Sequence, residues 1–134
     1  MNKKITYADD FDSLSKNAML TIHVCLEVLR DYHNDEHSLL DTIKYLIVYE
    51  GSSYEMFGIL LGRENESDYD EFFEKNYIRK MNTNEIIIFY YADSYVVIPE
   101  KLGVKIITDW CAKNTTNPEI PTLCKQLKQK YEVE

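Results

Sequence analysis

Two histidines and a glutamate, His33, Glu36 and His37, have types and spacing that could support metal chemistry. The pattern H-x-x-E-H occurs in inverted zinc peptidases, where two histidines one helical turn apart bind the metal beside a glutamate base. That chemistry requires the segment to lie inside a helix. Asn34 and Asp35 have low helix propensity and fall where the apolar pattern of the flanking segments is interrupted. We therefore expect a solvated loop between two helices, with no metal and no cofactor.

The three cysteines, Cys25, Cys111 and Cys124, have neither the spacing of a zinc site nor that of a disulfide framework. His23 is close to Cys25 in sequence, but on a helix their side chains would point about 200° apart. We expect reduced, mostly buried thiols. The chain contains four glycines and no dinucleotide-binding, Walker or G-x-S-x-G motif. No motif supports an enzyme, and the prediction is a protein without catalytic activity.

Residues 63–74, RENESDYDEFFE, combine acidic and aromatic side chains at high density. Such a mixture suits the binding of a basic protein, because acids steer the encounter and rings supply contact area that is desolvated on binding. A solvated helix face is the simpler interpretation of the same residues. The candidate partner-binding residues are six acids and one tyrosine: Glu64, Glu66, Asp68, Tyr69, Asp70, Glu71 and Glu74.

This mixture is similar to the surface chemistry of acidic immunity proteins and antitoxins that block bacterial nuclease toxins. The resemblance covers residues 63–74 and no sequence motif. It implies an inhibitor that binds and neutralises a basic toxin or nuclease domain. The net charge of −8 fits either a basic protein partner or solubility alone, and it disfavours nucleic acid or an anionic membrane as the ligand.

Two other functions stay open. One is a nucleic-acid mimic that inhibits a DNA- or RNA-binding protein, which would need acids at phosphate-like spacing across one whole face. The other is a metal-dependent hydrolase that uses the H-x-x-E-H segment, which a measurement of metal content would reveal.

The strongest secondary-structure signal lies in residues 84–99, NEIIIFYYADSYVVIP. Its β-branched and aromatic residues predict a β-hairpin at about 85–98, and Pro99 ends the pairing because it has no amide proton. Apolar side chains would point to both faces, so both sides of these strands should be covered. Residues 3–7 could add a short strand.

Apolar residues recur at helical spacing in most of the remaining chain, with capping residues at several ends. The predicted helices are 11–31, 38–50, 52–61, 68–80, 99–113 and 121–131. Two alternatives stay open: a hairpin formed by 45–49 and 54–61, and a strand at 104–108.

These elements predict one α+β domain, residues 1–134, that is helix-rich and packed on a small antiparallel sheet centred on the hairpin. No apolar run reaches the roughly 18 residues of a membrane-spanning helix. The first residues lack the apolar core of a secretory signal. We expect a cytoplasmic protein.

Overall fold

The computed structural model describes residues 4–54, 56–64, 81–90 and 94–134. Within these ranges, three short 3-10 turns accompany four helices and five strands. The strands are β1 (Lys4–Tyr7), β2 (Ser52–Ser53), β3 (Phe57–Leu61), β4 (Glu85–Tyr90) and β5 (Ser94–Pro99). The helices are α1 (Lys16–Asp31), α2 (His37–Ile47), α3 (Glu100–Asn114) and α4 (Glu119–Lys130). The predicted helix-rich α+β fold is confirmed.

The five strands form one sheet in the order β1-β5-β4-β3-β2. The predicted hairpin is its centre: β4 and β5 pair antiparallel, with Ile86 opposite Ile98 and Ile88 opposite Val96. β3 and β4 also pair antiparallel. The predicted strand at the N-terminus is confirmed as β1, but it pairs with β5 in parallel. The sheet is therefore larger than predicted and mixed.

Both faces of the hairpin are buried, as its double apolar pattern predicts. Ile86 and Ile88 belong to the main core, which also includes residues of all four helices. Ile87 and Phe89 point the other way and belong to a second buried cluster. Gly103 adds to the close packing, because a Cβ atom there would lie 2.6 Å from a methyl carbon of Ile86.

The predicted helix at 52–61 is wrong. Phe57–Leu61 is strand β3, and its five residues are all buried. A strand buried on both faces shows no polar alternation, so its apolar residues fit a helical spacing equally well. Pairing with β4 decides the conformation. The alternative of a hairpin formed by 45–49 and 54–61 is correct for its second strand alone. Residues 57–61 are strand β3, whereas 45–47 belong to helix α2.

Helix α1 begins at Lys16, five residues later than predicted, because the hydroxyl of Ser15 caps it by accepting a hydrogen bond from the Ala18 amide. Helix α2 begins at His37 and ends at Ile47, one residue before the predicted start and three residues before the predicted end of the helix 38–50. Residues 104–108 belong to helix α3, so the alternative of a strand there is wrong. α4 begins two residues before the predicted start.

The predicted helix at 68–80 lies outside the described residues. In the part of the chain that the structure describes, no helix combines the length and apolar character needed to cross a membrane.

Candidate protein-binding surface

Of the seven predicted partner-binding residues, Glu64 is the one that the structure describes. It ends the 3-10 turn that follows β3, and its Oε1 accepts a hydrogen bond from the amide of Gly51. A half-buried carboxylate with this contact already has a structural role. The other six, Glu66, Asp68, Tyr69, Asp70, Glu71 and Glu74, lie outside the described residues.

Beside Glu64, Arg63 forms an ion pair with Glu100, the first residue of α3. Two guanidinium nitrogens donate to the two carboxylate oxygens over 2.7 and 2.5 Å. The guanidinium carbon also lies 4.2 Å from the ring centre of Tyr49 and 5.3 Å from that of Tyr131. The hydrogen bonds to Glu100 raise the pKa of Arg63. This arrangement fastens the chain after β3 to the start of α3.

The histidines of the H-x-x-E-H segment make separate contacts. Nδ1 of His33 lies 2.5 Å from the hydroxyl oxygen of Ser38, whereas Nε2 of His37 lies 3.3 Å from a carboxylate oxygen of Asp41. His33 precedes a 3-10 turn and His37 begins α2, so they do not occupy successive turns of one helix. The predicted interruption between two helices is confirmed.

The glutamate of the segment, Glu36, has a structural contact of its own. Its carboxylate accepts hydrogen bonds from the amides of Thr116 and Asn117, which joins the α1–α2 turn to the α3–α4 loop. Asp35 and Glu36 both have left-handed backbone angles, with φ of 58° and 61°. In the described ranges, no three His, Cys, Asp or Glu residues are grouped so that they could hold a metal ion.

All three cysteines are free and buried, as predicted. Burial raises the pKa of Cys25 to about 12, so this thiol is a poor nucleophile. His23 is occupied elsewhere, because its Nδ1 accepts a hydrogen bond of 2.6 Å from the indole nitrogen of Trp110.

A short turn before α1 exposes one aromatic ring among three acids. Phe11 is 59% exposed, and Asp9, Asp10 and Asp12 are exposed around it. The turn is held by Asp10, whose carboxylate accepts hydrogen bonds from the hydroxyl and the amide of Ser13. These bonds lower the pKa of Asp10. Asp9 and Asp12 form no ion pair with any described residue, so both charges face solvent.

Phe11 also lines an apolar groove of about 440 Å³ that involves α1 and α3. Its apolar walls include Met19 from α1 and Ile106 and Trp110 from α3. The four exposed residues 9–12 and this groove are called the Phe11 surface below. Its polar rim is formed by Lys105, Asp109, Lys113 and Asn114.

No protein-family model, curated protein or solved structure matches this chain. Among the described residues, the Phe11 surface combines an exposed ring, unpaired acids and an adjacent groove.

Sequence reasoning missed the Phe11 surface because Phe11 fits the helical spacing of α1, so the predicted helix 11–31 includes it. The helix begins after Ser15, however, so Phe11 is not part of it. The signal that could have indicated this surface is the local amino-acid composition. Residues 7–13, YADDFDS, mix acids and rings in the same way as 63–74.

Proposed function

We propose that this chain is a non-enzymatic binding protein, an immunity- or antitoxin-type inhibitor that neutralises a basic toxin or nuclease domain in the bacterial cytoplasm. The observation that carries the proposal is Phe11, a ring exposed to solvent among Asp9, Asp10 and Asp12. An aromatic side chain that loses its solvent on binding can anchor an interface. Acids around it attract a basic partner and orient it.

The groove beside Phe11 supports a specific contact rather than general charge attraction. Trp110 and Ile106 offer apolar walls that a partner's apolar side chain can fill. On the rim, Nζ of Lys105 lies 3.4 Å from Oδ2 of Asp109, so the carboxylate partly balances the charge of the lysine. The best fit is a partner that presents an apolar side chain beside lysine or arginine, with the basic groups toward Asp9 and Asp12. The acids and rings of 63–74 have the same chemistry and stay a predicted second contact.

The experiment that tests this function uses the protein encoded next to this chain on its genome. If that neighbour is a basic toxin, co-expression of the two should restore the growth that the toxin alone prevents. The purified chain should also inhibit the toxin at a one-to-one ratio. A neighbour that is neither toxic nor bound would contradict the proposal.

Replacing both Asp9 and Asp12 by asparagine should lower the association rate constant by roughly tenfold at low ionic strength and flatten its salt dependence. The reason is that these charges act on the encounter and leave the contact itself intact. Stopped-flow association over a series of salt concentrations measures the effect.

The double variant Glu50→Gln, Glu134→Gln is the matched control, because it also removes two charges and both acids are exposed outside the Phe11 surface. An equal effect of this control would show that total charge, and not this surface, steers the partner.

Replacing Phe11 by alanine should weaken the complex by about 2 kcal/mol, roughly 30-fold in Kd, mainly through faster dissociation. A desolvated ring stabilises the bound state, so its loss changes the dissociation rate more than the association rate. Surface plasmon resonance gives both rates. Thermal unfolding should be nearly unchanged because the ring is exposed.

Val48→Ala is the control for Phe11→Ala, since Val48 is also 59% exposed but lies outside the surface. The same kinetics on Tyr69→Ala and on the triple variant Asp70→Asn, Glu71→Gln, Glu74→Gln test the residues that the sequence predicts. Changes at 69–74 with none at Phe11 would place the interface there.

A further inference from the structure

Two cysteines from successive helices line one cleft. Cys111 on α3 and Cys124 on α4 both border a cavity of about 580 Å³ whose wall also includes Lys125 and Lys128. The two thiols are close enough that each shifts the pKa of the other. Cys25, by contrast, contacts the carbonyl oxygen of Gly58.

The pair is electrostatically unequal. The hydrogen bond from Cys111 is the largest influence that lowers the pKa of Cys124, and the positive charge of Lys128 acts in the same direction. The same hydrogen bond, together with burial, raises the pKa of Cys111. When one proton leaves the pair, the thiolate therefore forms on Cys124, which borders the cleft.

We propose that Cys111 and Cys124 are a redox pair that hydrogen peroxide converts into a disulfide joining α3 to α4. The Cys124 thiolate attacks one peroxide oxygen, so an S–O bond forms, the O–O bond breaks and hydroxide leaves. The Cys111 sulfur then attacks the sulfenic sulfur of Cys124. An S–S bond forms, the S–O bond breaks, and the Cys111 proton leaves with the hydroxide as water.

The electron balance of this reaction is complete. Each thiol sulfur loses one electron, the peroxide gains two, and the net products are one disulfide and two waters. A thiol reductant such as dithiothreitol reverses the reaction by disulfide exchange. The two thiols lie on successive helices and border one cleft, and the disulfide forms where their Cβ atoms can approach to about 3.5–4.5 Å.

The test treats the reduced full-length protein with hydrogen peroxide, alkylates the remaining thiols after denaturation and maps the peptides by mass spectrometry. We expect one intramolecular Cys111–Cys124 disulfide, an alkylated Cys25 and full reversal by dithiothreitol. The disulfide should raise the thermal midpoint by about 5 °C or more, because it closes a short loop of the unfolded chain.

Single variants assign the two roles. Cys111→Ser should stop at a sulfenic acid on Cys124, which a 1,3-dione probe traps, whereas Cys124→Ser should leave Cys111 reduced. Cys25→Ser is the matched control and should form the same disulfide as the unaltered chain. Three alkylatable thiols after peroxide treatment of the unaltered protein, a disulfide that includes Cys25, or a bond between two chains would overturn the proposal.

Discussion

Replacing Ile88 by alanine is expected to lower the free energy of unfolding by roughly 2–4 kcal/mol. Ile88 is fully buried in β4, the middle strand of the sheet, and it pairs with Val96 on one side and Ile59 on the other. The lost methyl groups would leave a cavity that two paired neighbours cannot easily close. Urea unfolding followed by circular dichroism measures the change.

Ile88→Val is the graded control, with an expected loss of about 0.5–1.5 kcal/mol. If the alanine variant lost less than about 0.5 kcal/mol, the β4 side chain would have to be solvated and the core assignment would fail.

Replacing Arg63 by alanine is expected to lower the free energy of unfolding by about 3 kcal/mol. Glu100 is 5% exposed, and without Arg63 its carboxylate would lose a bidentate partner while staying out of water. Because the Arg63 side chain itself is 36% exposed, we place the loss at the lower end of the range for buried pairs. Denaturant unfolding near neutral pH gives the value.

Two further variants separate the causes of that loss. Arg63→Lys keeps the positive charge but not the two parallel hydrogen bonds, so it should recover part of the stability. The double variant Arg63→Met, Glu100→Leu removes both charges and should be more stable than Arg63→Ala. Equal stability of the double variant and Arg63→Ala would show that the unpaired carboxylate is not the source of the loss.

The central hairpin could be predicted because its preference is local. Residues 85–90 and 94–99 are rich in β-branched and aromatic side chains. Strand β3 could not be predicted in this way. Its five buried residues carry no polar alternation, so their conformation depends on pairing with β4.

Contacts between residues that are far apart in the sequence could not be predicted from it. Arg63 and Glu100 are 37 positions apart, and no periodic pattern connects them. Cys111 and Cys124 border one cleft because α3 and α4 are neighbours in the fold, although their spacing resembles no known motif. At Phe11 the sequence pattern predicted too much structure. The apolar spacing of α1 extends back to Phe11, but the helix begins at Lys16.

The parallel pairing of β1 with β5 has a consequence for biosynthesis. Lys4 lies opposite Ser94 and Tyr7 opposite Val97, so the strand made first pairs with one made much later. At typical translation rates, roughly 5–20 s separate the synthesis of the two strands. Throughout that interval the nascent chain holds a β1 segment without its native neighbour. Ribosome-associated chaperones therefore have time to engage this segment, and β1 completes the sheet only after the hairpin has emerged.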